Sequence, residues 1–485
     1  MNKYEKVLDL ALRKGFFLPA GEIYNGPAGF YDYGPNGAAL KRKFIELWRK
    51  MIVIEDEMVE LDGSQILPEA GYRSSGHLEH FVDPLVLCTK CNAEHRADKL
   101  ISDKLKKEIP ENLSSKEFDD LIKEHKLACP NCKGKLGDVH KFNMMFRFGV
   151  GAKAASATEH VGLRPETCQN IFIDFPRIYK TNRLKLPIGI AQVGKSFRNE
   201  ISPRQSLLRQ REFTQAEAEI FINPKVKFDK FKKIKSYKLR LLPNGKKEQI
   251  LISANQAVQK GIISNEFTAY YLTLLQKFFE ELGIKKFRFR QLTDKERAFY
   301  AKESWDFEVE TDIGWLELVA CNYRGDHDLK SHSEGSKTDM SVLDNTEKVL
   351  PHIFELSLGV DRCLYVLLEQ SFAEEKVNNE DRIILKLKPR LAPVFAAVFP
   401  LVNKDKLPKV AEAVYEMLKQ YGSVYDGTGS IGKRYRRMDE IGCPVCITVD
   451  FDSLKKKDVT VRDRDTMKQK RIKIKNLLDY LFKIY

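Results

Sequence analysis

The sequence predicts an α+β protein that is built on an antiparallel sheet and ends in a small α/β domain. Runs of alternating polarity meet in two predicted hairpins, at residues 186–221 and 305–325, and amphipathic helical stretches flank them. After Lys388-Pro389 the pattern changes to alternating strands and helices over roughly 100 residues, as in a small α/β domain. A chain of 485 residues is long enough for two or three domains.

Composition and charge narrow the class of protein. Hydrophobic residues make up 43% of the chain and charged residues 31%, which is typical of a globular protein. The formal net charge of +14 favours a polyanionic partner, because lysine and arginine attract phosphate groups. There is no run of about 18 apolar residues and no signal-type start, so we expect a cytoplasmic protein without a membrane partner. Nine cysteines in such a chain favour free thiols or a metal site over disulfides.

The N-terminal region is predicted to supply two helices and a strand. An amphipathic helix opens the chain, and a second helix from about Ala38 places Leu40, Phe44 and Trp48 on one apolar stripe. The strand-like run MVELDGSQILPE ends at Pro68, which cannot donate a ladder hydrogen bond. A core helix and an edge strand account for this region.

Two short cysteine pairs enclose a lysine-rich helical segment at residues 85–141. Cys88 and Cys91 form the first pair, and Cys129 and Cys132 form the second. Four thiolates are what Zn²⁺ takes in a closed, tetrahedral structural site. The spacing predicts zinc, although four free thiols or a site that has lost its metal would give the same pattern. Because all four positions would be filled, the metal would stabilise a subdomain rather than take part in a reaction.

The first hairpin carries a mixture of charged and aromatic side chains on one face. Alternation places Arg198 and Glu200 on one face of its first strand, and Phe213, Gln215 and Glu217 on one face of its second strand. If the strands pair, this face combines an arginine, carboxylates and an aromatic ring, which suits a charged, planar ligand. An exposed hairpin with paired charges is the alternative interpretation.

The segment at residues 222–262 is interpreted as a basic insertion. Between residues 225 and 247 it holds ten basic residues and one acidic residue. Phe228, Phe231 and Tyr237 lie among the lysines, a pattern that fits contact with an RNA backbone as well as a solvated insertion. Both interpretations stay open.

Two later strands and a helix present further polar groups. Glu317 lies between two leucines in the second strand of the 305–325 hairpin, so it is expected to point away from the packed face. Glu355 and Ser357 share a face of the strand in HIFELSLGVDR, and Arg362 follows in the first turn of a helix. An arginine there opposes the helix macrodipole, so a ligand phosphate is the interpretation that explains its position.

The C-terminal domain contains GTGSIG at residues 427–432, which matches a dinucleotide-binding fingerprint. We reject that interpretation, because a domain of this size has no room for the second half of a doubly wound fold. The helix that follows carries Arg434, Arg436 and Arg437, which suit nucleic acid better.

These motifs together resemble those of the homodimeric class II glycyl-tRNA synthetases, and in particular their archaeal and eukaryotic branch. GFYDYGPNGAALK with SQILPE resembles motif 1, FRNEISPR with REFTQAE resembles motif 2, and FELSLGVDR resembles motif 3. SGHLEHFVDP, HRADKL, LRPET and GSIGKRYRRMDEIG are typical of the same family. The resemblance covers nearly the whole chain.

The resemblance implies a fold and a reaction. It implies a class II catalytic domain at residues 1–388, on a six- or seven-stranded antiparallel sheet, and an anticodon-binding domain at residues 389–485. The implied reaction is activation of glycine by ATP to glycyl-adenylate, followed by transfer of glycine to the 3′ end of tRNA(Gly), in a homodimer. ATP and Mg²⁺ are the implied cofactors, beside structural Zn²⁺.

The resemblance also implies functional residues. Arg198, Glu200 and Arg362 would be catalytic, with Arg198 on the α-phosphate and Phe213 stacked on adenine. The ATP site would consist of Arg198, Asn199, Glu200, Leu208, Arg209, Gln210, Arg211, Glu212, Phe213, Glu317, Leu318, Gly359 and Arg362. The glycine site would consist of Arg96, Glu166, Phe213, Gln215, Glu217, Glu355 and Ser357. Glu317 would help hold Mg²⁺, and Arg434, Arg436 and Arg437 would contact tRNA.

The chain departs from the family's pattern at two places. Leu356 stands where the family's third motif has proline, and Cys168-Gln169-Asn170 replaces the usual Ala-Gln-Gly after LRPET. Since every charged group is present, an enzyme is favoured over the alternative, a non-catalytic synthetase-like accessory protein that binds nucleic acid. A nucleotide-dependent oxidoreductase that relies on GTGSIG is the weakest of the three hypotheses.

Overall fold

The computed structural model describes residues 1–485 except 108, 111–112, 152–159, 204 and 378, so Arg204 of the FRNEISPR motif lies outside the described residues. The helices in chain order are α1 (Lys3–Arg13), α2 (Pro35–Trp48), α3 (Glu69–Ser74), α4 (His77–His80), α5 (Ala97–Leu105), α6 (Ser115–Glu124), α7 (Cys168–Thr181), α8 (Ala254–Gln259), α9 (Glu266–Leu282), α10 (His327–Ser336), α11 (Val360–Ser371), α12 (Leu407–Leu418), α13 (Ile431–Glu440), α14 (Phe451–Lys456) and α15 (Leu477–Phe482).

The strands in chain order are β1 (Leu18–Pro19), β2 (Tyr31–Asp32), β3 (Val59–Glu60), β4 (Ile66–Pro68), β5 (Val82–Leu87), β6 (Glu94–Arg96), β7 (His140–Asn143), β8 (Arg147–Gly149), β9 (His160–Leu163), β10 (Ile188–Phe197), β11 (Glu212–Ile222), β12 (Lys238–Leu242), β13 (Ile250–Ser253), β14 (Phe287–Gln291), β15 (Glu303–Thr311), β16 (Gly314–Gly325), β17 (Val342–Asp344), β18 (Glu347–Val349), β19 (His352–Gly359), β20 (Phe372–Val377), β21 (Glu380–Leu385), β22 (Ala397–Pro400), β23 (Val424–Tyr425), β24 (Val445–Val449), β25 (Asp458–Asp463) and β26 (Gln469–Lys473).

A sheet of nine strands, counted over the described residues, forms the centre of the larger part of the molecule. Its strand order is β13-β12-β14-β15-β16-β19-β11-β10-β3. Most neighbouring strands are antiparallel, but β3 is parallel to β10 and β12 is parallel to β14. The predicted α+β class and the mainly antiparallel sheet are confirmed, and the sheet has nine strands instead of the expected six or seven. The additional strands β12 and β13 come from the basic insertion at residues 222–262, where exposed charges concealed the strand pattern.

The predicted strand MVELDGSQILPE is in fact two short strands in different sheets. β3 joins the central sheet, and β4 pairs with β9 in a small three-stranded sheet. Between them, Gly63 lies so close to Gln192 and Asn170 that a Cβ atom would come within 2.6 and 2.7 Å of their side chains. The chain therefore needs glycine at the point where it leaves the central sheet.

The helix α2 confirms the predicted apolar stripe but begins earlier than expected. Pro35 occupies its first turn, where a missing N–H costs nothing, so the helix starts before Ala38. Leu40, Phe44 and Trp48 are all buried. A π-helical turn of six residues extends the helix towards β3.

The segment 222–262 contributes packing as well as charge. Phe231 is buried, and the ring of Phe228 packs on the rings of Phe267 and Tyr270 in α9 at centroid distances of 5.3 and 5.1 Å. Phe228 and Phe231 pack in the core and are not available to stack on RNA, whereas Tyr237 is partly exposed, and RNA contact by the lysines of this segment stays a prediction. The alternation of lysine and aromatic residues reflects one exposed face and one packed face.

The cysteine segment folds around a small core of its own. β5, β6 and β7 form a three-stranded sheet, and α5 and α6 cover it. Val86, Ile101, Phe118 and Ile122 fill the space between them. The sequence predicted the helices of this segment but not its three strands.

The C-terminal part forms a separate five-stranded sheet within the described residues, in the order β23-β22-β24-β25-β26. Arg382 of β21 joins it to the larger part, because its Nε donates to Oδ2 of Asp439 in α13 at 2.8 Å. Asp439 also accepts a hydrogen bond from Arg462 at 2.9 Å, and all three side chains are buried. In the part of the chain that the structure describes, every helix is too short or too polar to cross a membrane.

Asp56 is a buried anchor between α2, the basic segment and α9. Its carboxylate accepts hydrogen bonds from Lys230 Nζ at 2.8 Å, Tyr270 OH at 2.7 Å and Tyr271 OH at 2.9 Å. A buried carboxylate with one cation and two hydroxyl donors is fully compensated, so removing it leaves several donors unpaired.

We expect Asp56→Ala to lower the free energy of unfolding by about 3 kcal/mol, as for other broken buried ion pairs. Urea unfolding followed by tryptophan fluorescence measures this change. The matched control is Asp229→Ala, which removes an exposed ion pair with Lys232 and should leave the free energy of unfolding nearly unchanged. Equal effects of the two substitutions would contradict the anchoring role of Asp56.

Candidate active site

The polar groups predicted from the hairpins come together on one face of the central sheet. Glu217 of β11 lies opposite Gln192 of β10 and Ser357 of β19. The pairing of these strands confirms the predicted hairpin. β10 ends one residue before Arg198, so Arg198 and Glu200 belong to the loop that follows and not to the strand.

Glu217 is completely buried and is held by neutral donors. Its Oε1 accepts hydrogen bonds from Gln215 Nε2 at 2.9 Å and Ser357 Oγ at 2.5 Å, and its Oε2 accepts one from Thr167 Oγ1 at 2.5 Å. Burial, followed by the charge of Glu166, raises its pKa. Neutral donors orient this carboxylate without cancelling its charge, so it retains its attraction for a cation.

Glu355 lies beside a buried arginine that the sequence reasoning missed. Arg324 Nη1 donates to Glu355 Oε1 at 2.9 Å, and the other side of the guanidinium binds Asp328 through two hydrogen bonds of 2.6 Å. Asn322 donates to the second oxygen of Glu355 at 2.5 Å. Burial raises the pKa of Glu355 to about 7, although Arg324 opposes the shift. Alternation along β16 places Asn322 and Arg324 on one face, and this signal could have found them.

Glu166 is the carboxylate that its surroundings keep ionised. Its Oε2 lies 3.6 Å from His77 Nε2, and its Oε1 lies 3.6 Å from Arg198 Nη2. Burial opposes ionisation, but His77 and Arg198 lower the pKa of Glu166 below its ordinary value. One ionised carboxylate beside two with raised pKa values forms a pocket that favours a cation such as an ammonium group.

Arginines dominate the adjoining surface. The guanidinium carbon of Arg198 lies 5.3 Å from the ring centroids of both Phe213 and Phe81. Arg362 Nη1 donates to the carbonyl of Glu317 at 3.2 Å and lies 3.6 Å from its carboxylate. Cations beside an aromatic ring suit a nucleotide, because the ring stacks on a base while the guanidinium groups bind phosphate.

The loop between β10 and β11 holds several of the remaining predicted ATP residues. Arg209 binds Glu200 through two contacts of 2.6 and 2.5 Å, and Arg211 Nε donates to the carbonyl of Glu200 at 3.1 Å. The other predicted ATP residues are Asn199 in the loop, Leu208 and Gln210 buried in the loop, Glu212 paired with Lys195, Leu318 buried in β16, and Gly359 at the end of β19.

Arg96 reaches the site from the cysteine segment. Its guanidinium lies 3.1 Å from Asp83 and 2.7 Å from Asp98. Asp83 lies in turn 3.7 Å from Arg209. Arg96 is therefore coupled to the ATP side through Asp83, and direct contact with the amino acid stays a prediction.

Glu317, the predicted Mg²⁺ ligand, has acidic neighbours that the sequence reasoning missed. Glu308 is its register partner on β15, and Asp306 lies nearby on the same strand. Burial, with the charge of Glu317 next in size, raises the pKa of Asp306 to about 8. Arg290 contacts Asp306 at 3.1 Å and Glu308 at 2.9 Å. Arg288 also binds Glu308 at 2.7 Å, and Arg362 lies 3.6 Å from Glu317, so each carboxylate has an arginine partner. Binding of Mg²⁺ by Glu317 stays a prediction.

The four predicted zinc ligands lie together. Sγ of Cys88 is 3.5 Å from Sγ of Cys132, and Sγ of Cys91 is 3.7 Å from Sγ of Cys129. A tetrahedral Zn²⁺ with Zn–S bonds of about 2.3 Å requires sulfur atoms about 3.7 Å apart. All four ligand atoms lie within 4.8 Å of one another, so the residues fit the metal.

The three arginines predicted to contact tRNA differ in exposure. Arg434 is 2% exposed and donates to the carbonyls of Pro400, Gly427 and Gly429, so it closes the GTGSIG loop from inside. This burial contradicts a direct contact of Arg434 with RNA. Arg437 is bound to Asp426, whereas the partner of Arg436 among the described residues is Glu380 at 3.7 Å.

Comparison with known proteins identifies the class and then the family. Residues 152–261 match the tRNA synthetase class II core domain (G, H, P, S and T), and residues 396–484 match the anticodon binding domain. With its central sheet and acidic pocket, the protein is thus a class II tRNA synthetase in architecture.

Relatives of nearly full length refine this class. The chain is 39% identical to a glycine–tRNA ligase of Methanocaldococcus jannaschii, covering 99% of this chain and 98% of the relative. It is 38% identical to that of Methanothrix thermoacetophila (99% and 97%) and 39% identical to that of Thermococcus gammatolerans (98% and 97%). The chain belongs to the glycine–tRNA ligase family. The alignments span 574, 564 and 563 positions against 485 residues, so these relatives carry insertions that this chain lacks.

Proposed function

We propose that this protein activates glycine with ATP to glycyl-adenylate and transfers glycine to the 3′ end of tRNA(Gly). The observation that carries the proposal is that an anionic pocket adjoins a cationic surface on one sheet face. Glu166, Glu217 and Glu355 would surround the ammonium group of glycine. Enzymes of this class use ATP and Mg²⁺.

The cationic surface would bind the nucleotide. Arg198 would hold the α-phosphate, Phe213 would stack on adenine, and Arg362 would close the far side, with Glu317 helping to hold Mg²⁺. In the reaction a carboxylate oxygen of glycine bonds to the α-phosphorus as the bond to the pyrophosphate oxygen breaks. Charge develops on the phosphoryl oxygens, so fixed arginines stabilise the transition state and a nucleophilic side chain is unnecessary.

Selection of glycine would depend on the exclusion of larger amino acids from the pocket. Ser357 and Gln215 donate to Glu217 and stand beside the position proposed for the α-carbon. A pocket closed by side chains that are fixed in this way rejects larger amino acids by steric conflict, and a smaller competitor does not exist. This supports recognition of glycine without an editing domain.

The remaining assignments extend the proposal to tRNA, oligomeric state and location. Residues 389–485 would bind the anticodon part of tRNA(Gly), with Arg436 and Arg437 on the contact surface, while residues 1–388 would carry out the reaction. A homodimer in the cytoplasm is proposed. The short edge strand β3 supports the dimer, because the sheet ends there and Ile54 nearby is 69% exposed.

A non-catalytic accessory role is less well supported. A protein that had lost catalysis would have no reason to keep three compensated glutamates in a pocket next to Arg198 and Arg362. Burying such groups is costly, so their presence favours an active site.

The reaction is tested by ATP–pyrophosphate exchange with each of the twenty amino acids. Exchange should require glycine and Mg²⁺, and Arg198→Ala should lower it by at least about a hundredfold, as for loss of one transition-state donor. The matched control is Arg436→Ala, which should leave exchange unchanged and lower aminoacylation of tRNA(Gly). No exchange with glycine would overturn the function, and equal loss of both activities in Arg436→Ala would overturn the division between domains.

Glycine binding should weaken as pH falls through about 7. Glu355 has its pKa raised to about 7 by burial, among Glu166, Glu217, Glu219 and Arg324, so it loses its charge below this pH. The ammonium group then loses one of its partners, and the KM for glycine in the exchange assay should rise. Glu355→Gln, which cannot titrate, should have a high KM without this pH dependence. An unchanged KM profile in the variant would contradict the assignment.

The cysteine segment is proposed to bind one structural Zn²⁺ through Cys88, Cys91, Cys129 and Cys132. We expect elemental analysis of the purified protein to find zinc in the four-cysteine site, so that Cys91→Ser holds about one zinc per chain less than the wild type. Cys443→Ser is the matched control, because Cys443 lies in the C-terminal core, and its zinc content should equal that of the wild type. A wild-type protein without zinc after purification in zinc-containing medium would contradict the site.

A further inference from the structure

Cys168 introduces a thiol into the acidic pocket. It is the first residue of α7 and is completely buried. Its Sγ lies 3.3 Å from Oε2 of Glu166 and 3.7 Å from Nε2 of Gln169. Burial, with the charges of Glu217 and Glu166 next, raises its pKa well above the ordinary value. The mechanism proposed above makes no use of this thiol.

Glu219 is a second group in the pocket that the mechanism does not use. It is 0% exposed, and neither of its carboxylate oxygens has a hydrogen-bond partner among the described residues. Burial, followed by the charge of Glu355, raises its pKa well above the ordinary value. A buried carboxyl group without partners is costly, so its presence points to a ligand that would satisfy it.

These two groups lie next to Glu217. Sγ of Cys168 and one carboxylate oxygen each of Glu217 and Glu219 lie within 4.8 Å of one another, and all three residues are buried. One thiolate and two carboxylates are ligands that Zn²⁺ takes in proteins, with bonds of about 2.0–2.3 Å. Small rotations of the side chains would bring the three atoms to these distances.

A second set of three ligands, Glu166, Cys168 and Glu355, overlaps the first. Glu355 already has Arg324 as its counterion, and Glu166 lies beside Arg198 and His77. Among the described residues Glu219 has no hydrogen-bond partner, and Glu217 accepts hydrogen bonds from neutral donors, while Arg324 and Arg198 act on these two carboxylates from a greater distance. The charge balance therefore favours the set that contains Glu217 and Glu219.

We propose that Cys168, Glu217 and Glu219 form a binding site for a thiophilic divalent cation such as Zn²⁺, and that the bound cation competes with the amino acid for the pocket. Binding would release the thiol proton of Cys168 and the carboxyl proton of Glu219 to solvent as the metal bonds form. Competition follows because Glu217 would bind both the divalent cation and the ammonium group of glycine. The competition rests on the proposed function, whereas metal binding does not.

Binding is tested on the full-length protein after removal of weakly bound metal, with one zinc per chain retained, which is enough for the four-cysteine site alone. Cd²⁺ is the probe, and the thiolate-to-cadmium ultraviolet band and equilibrium dialysis are the readouts. Wild type should bind one Cd²⁺ more than Cys168→Ala, and Glu219→Gln should weaken this site by at least about tenfold. Cys363→Ala removes a buried thiol of α11 and is the matched control, which should bind as wild type does. Replacement of zinc by cadmium at the four-cysteine site is common to all variants and cancels in the comparison.

Competition is tested by glycine-dependent exchange at fixed Mg²⁺ and increasing Zn²⁺. Inhibition of the wild type should be competitive with glycine, and Cys168→Ala should need at least about tenfold more Zn²⁺ for half inhibition. Equal Cd²⁺ uptake by wild type and Cys168→Ala would overturn the metal site. Uptake that differs without competition would overturn the competition alone, and absence of any glycine-dependent exchange would instead count against the proposed function.

Discussion

The burial of like charges is the constraint on which the site depends. Four glutamates crowd one end of the central sheet, where burial alone would keep carboxyl groups neutral: Glu166, Glu217, Glu219 and Glu355. Arg324 is a buried cation that binds Glu355, and Asp328 and the ring of Tyr300, 3.7 Å away, hold it in place. Because a buried charge without a partner costs several kcal/mol, Arg324 limits how many of the four glutamates ionise before a ligand enters.

The fold supplies this arrangement through strand register and close packing. Glu217, Glu355 and Asn322 meet because β11, β19 and β16 are neighbours, although they are far apart in the chain. Glu166 comes from a loop that Arg164 fixes, through hydrogen bonds of 2.8 and 2.9 Å to the carbonyls of Lys195 and Gly63. Gly194 makes room for this guanidinium, since a Cβ there would lie 2.1 Å from Arg164 Nη2. The loop that carries Glu166 is therefore held in place by hydrogen bonds and close packing.

The groups that could be predicted from sequence share a local signal. Phe213, Glu217 and Glu355 follow the alternation of their strands, and Arg362 stands out because it opposes a helix dipole. Arg324 and His77 were missed because their roles depend on partners from distant segments. The periodicity of the sequence along one strand or helix does not reveal such partners. Arg434 was misassigned, because its neighbours in the sequence are exposed arginines and only the folded loop buries it. The packing of Phe228 on α9 was not predicted either, since the exposed lysines around it concealed the face that packs.

Carboxylates and guanidinium groups occupy separate regions of the sheet, so the site favours one orientation of an asymmetric ligand. Carboxylates cluster around Glu217, and guanidinium groups lie around Phe213, four residues earlier on the same strand. A strand rises about 3.3 Å per residue, so the two regions are roughly 13 Å apart, which is enough for a small amino acid followed by a nucleotide. A ligand with an ammonium group at one end and a carboxylate at the other aligns along this axis, with its carboxylate towards the arginines. Electrostatic complementarity of this kind positions the reacting groups before the reaction begins, and positioning is the main contribution that phosphoryl chemistry requires of the protein.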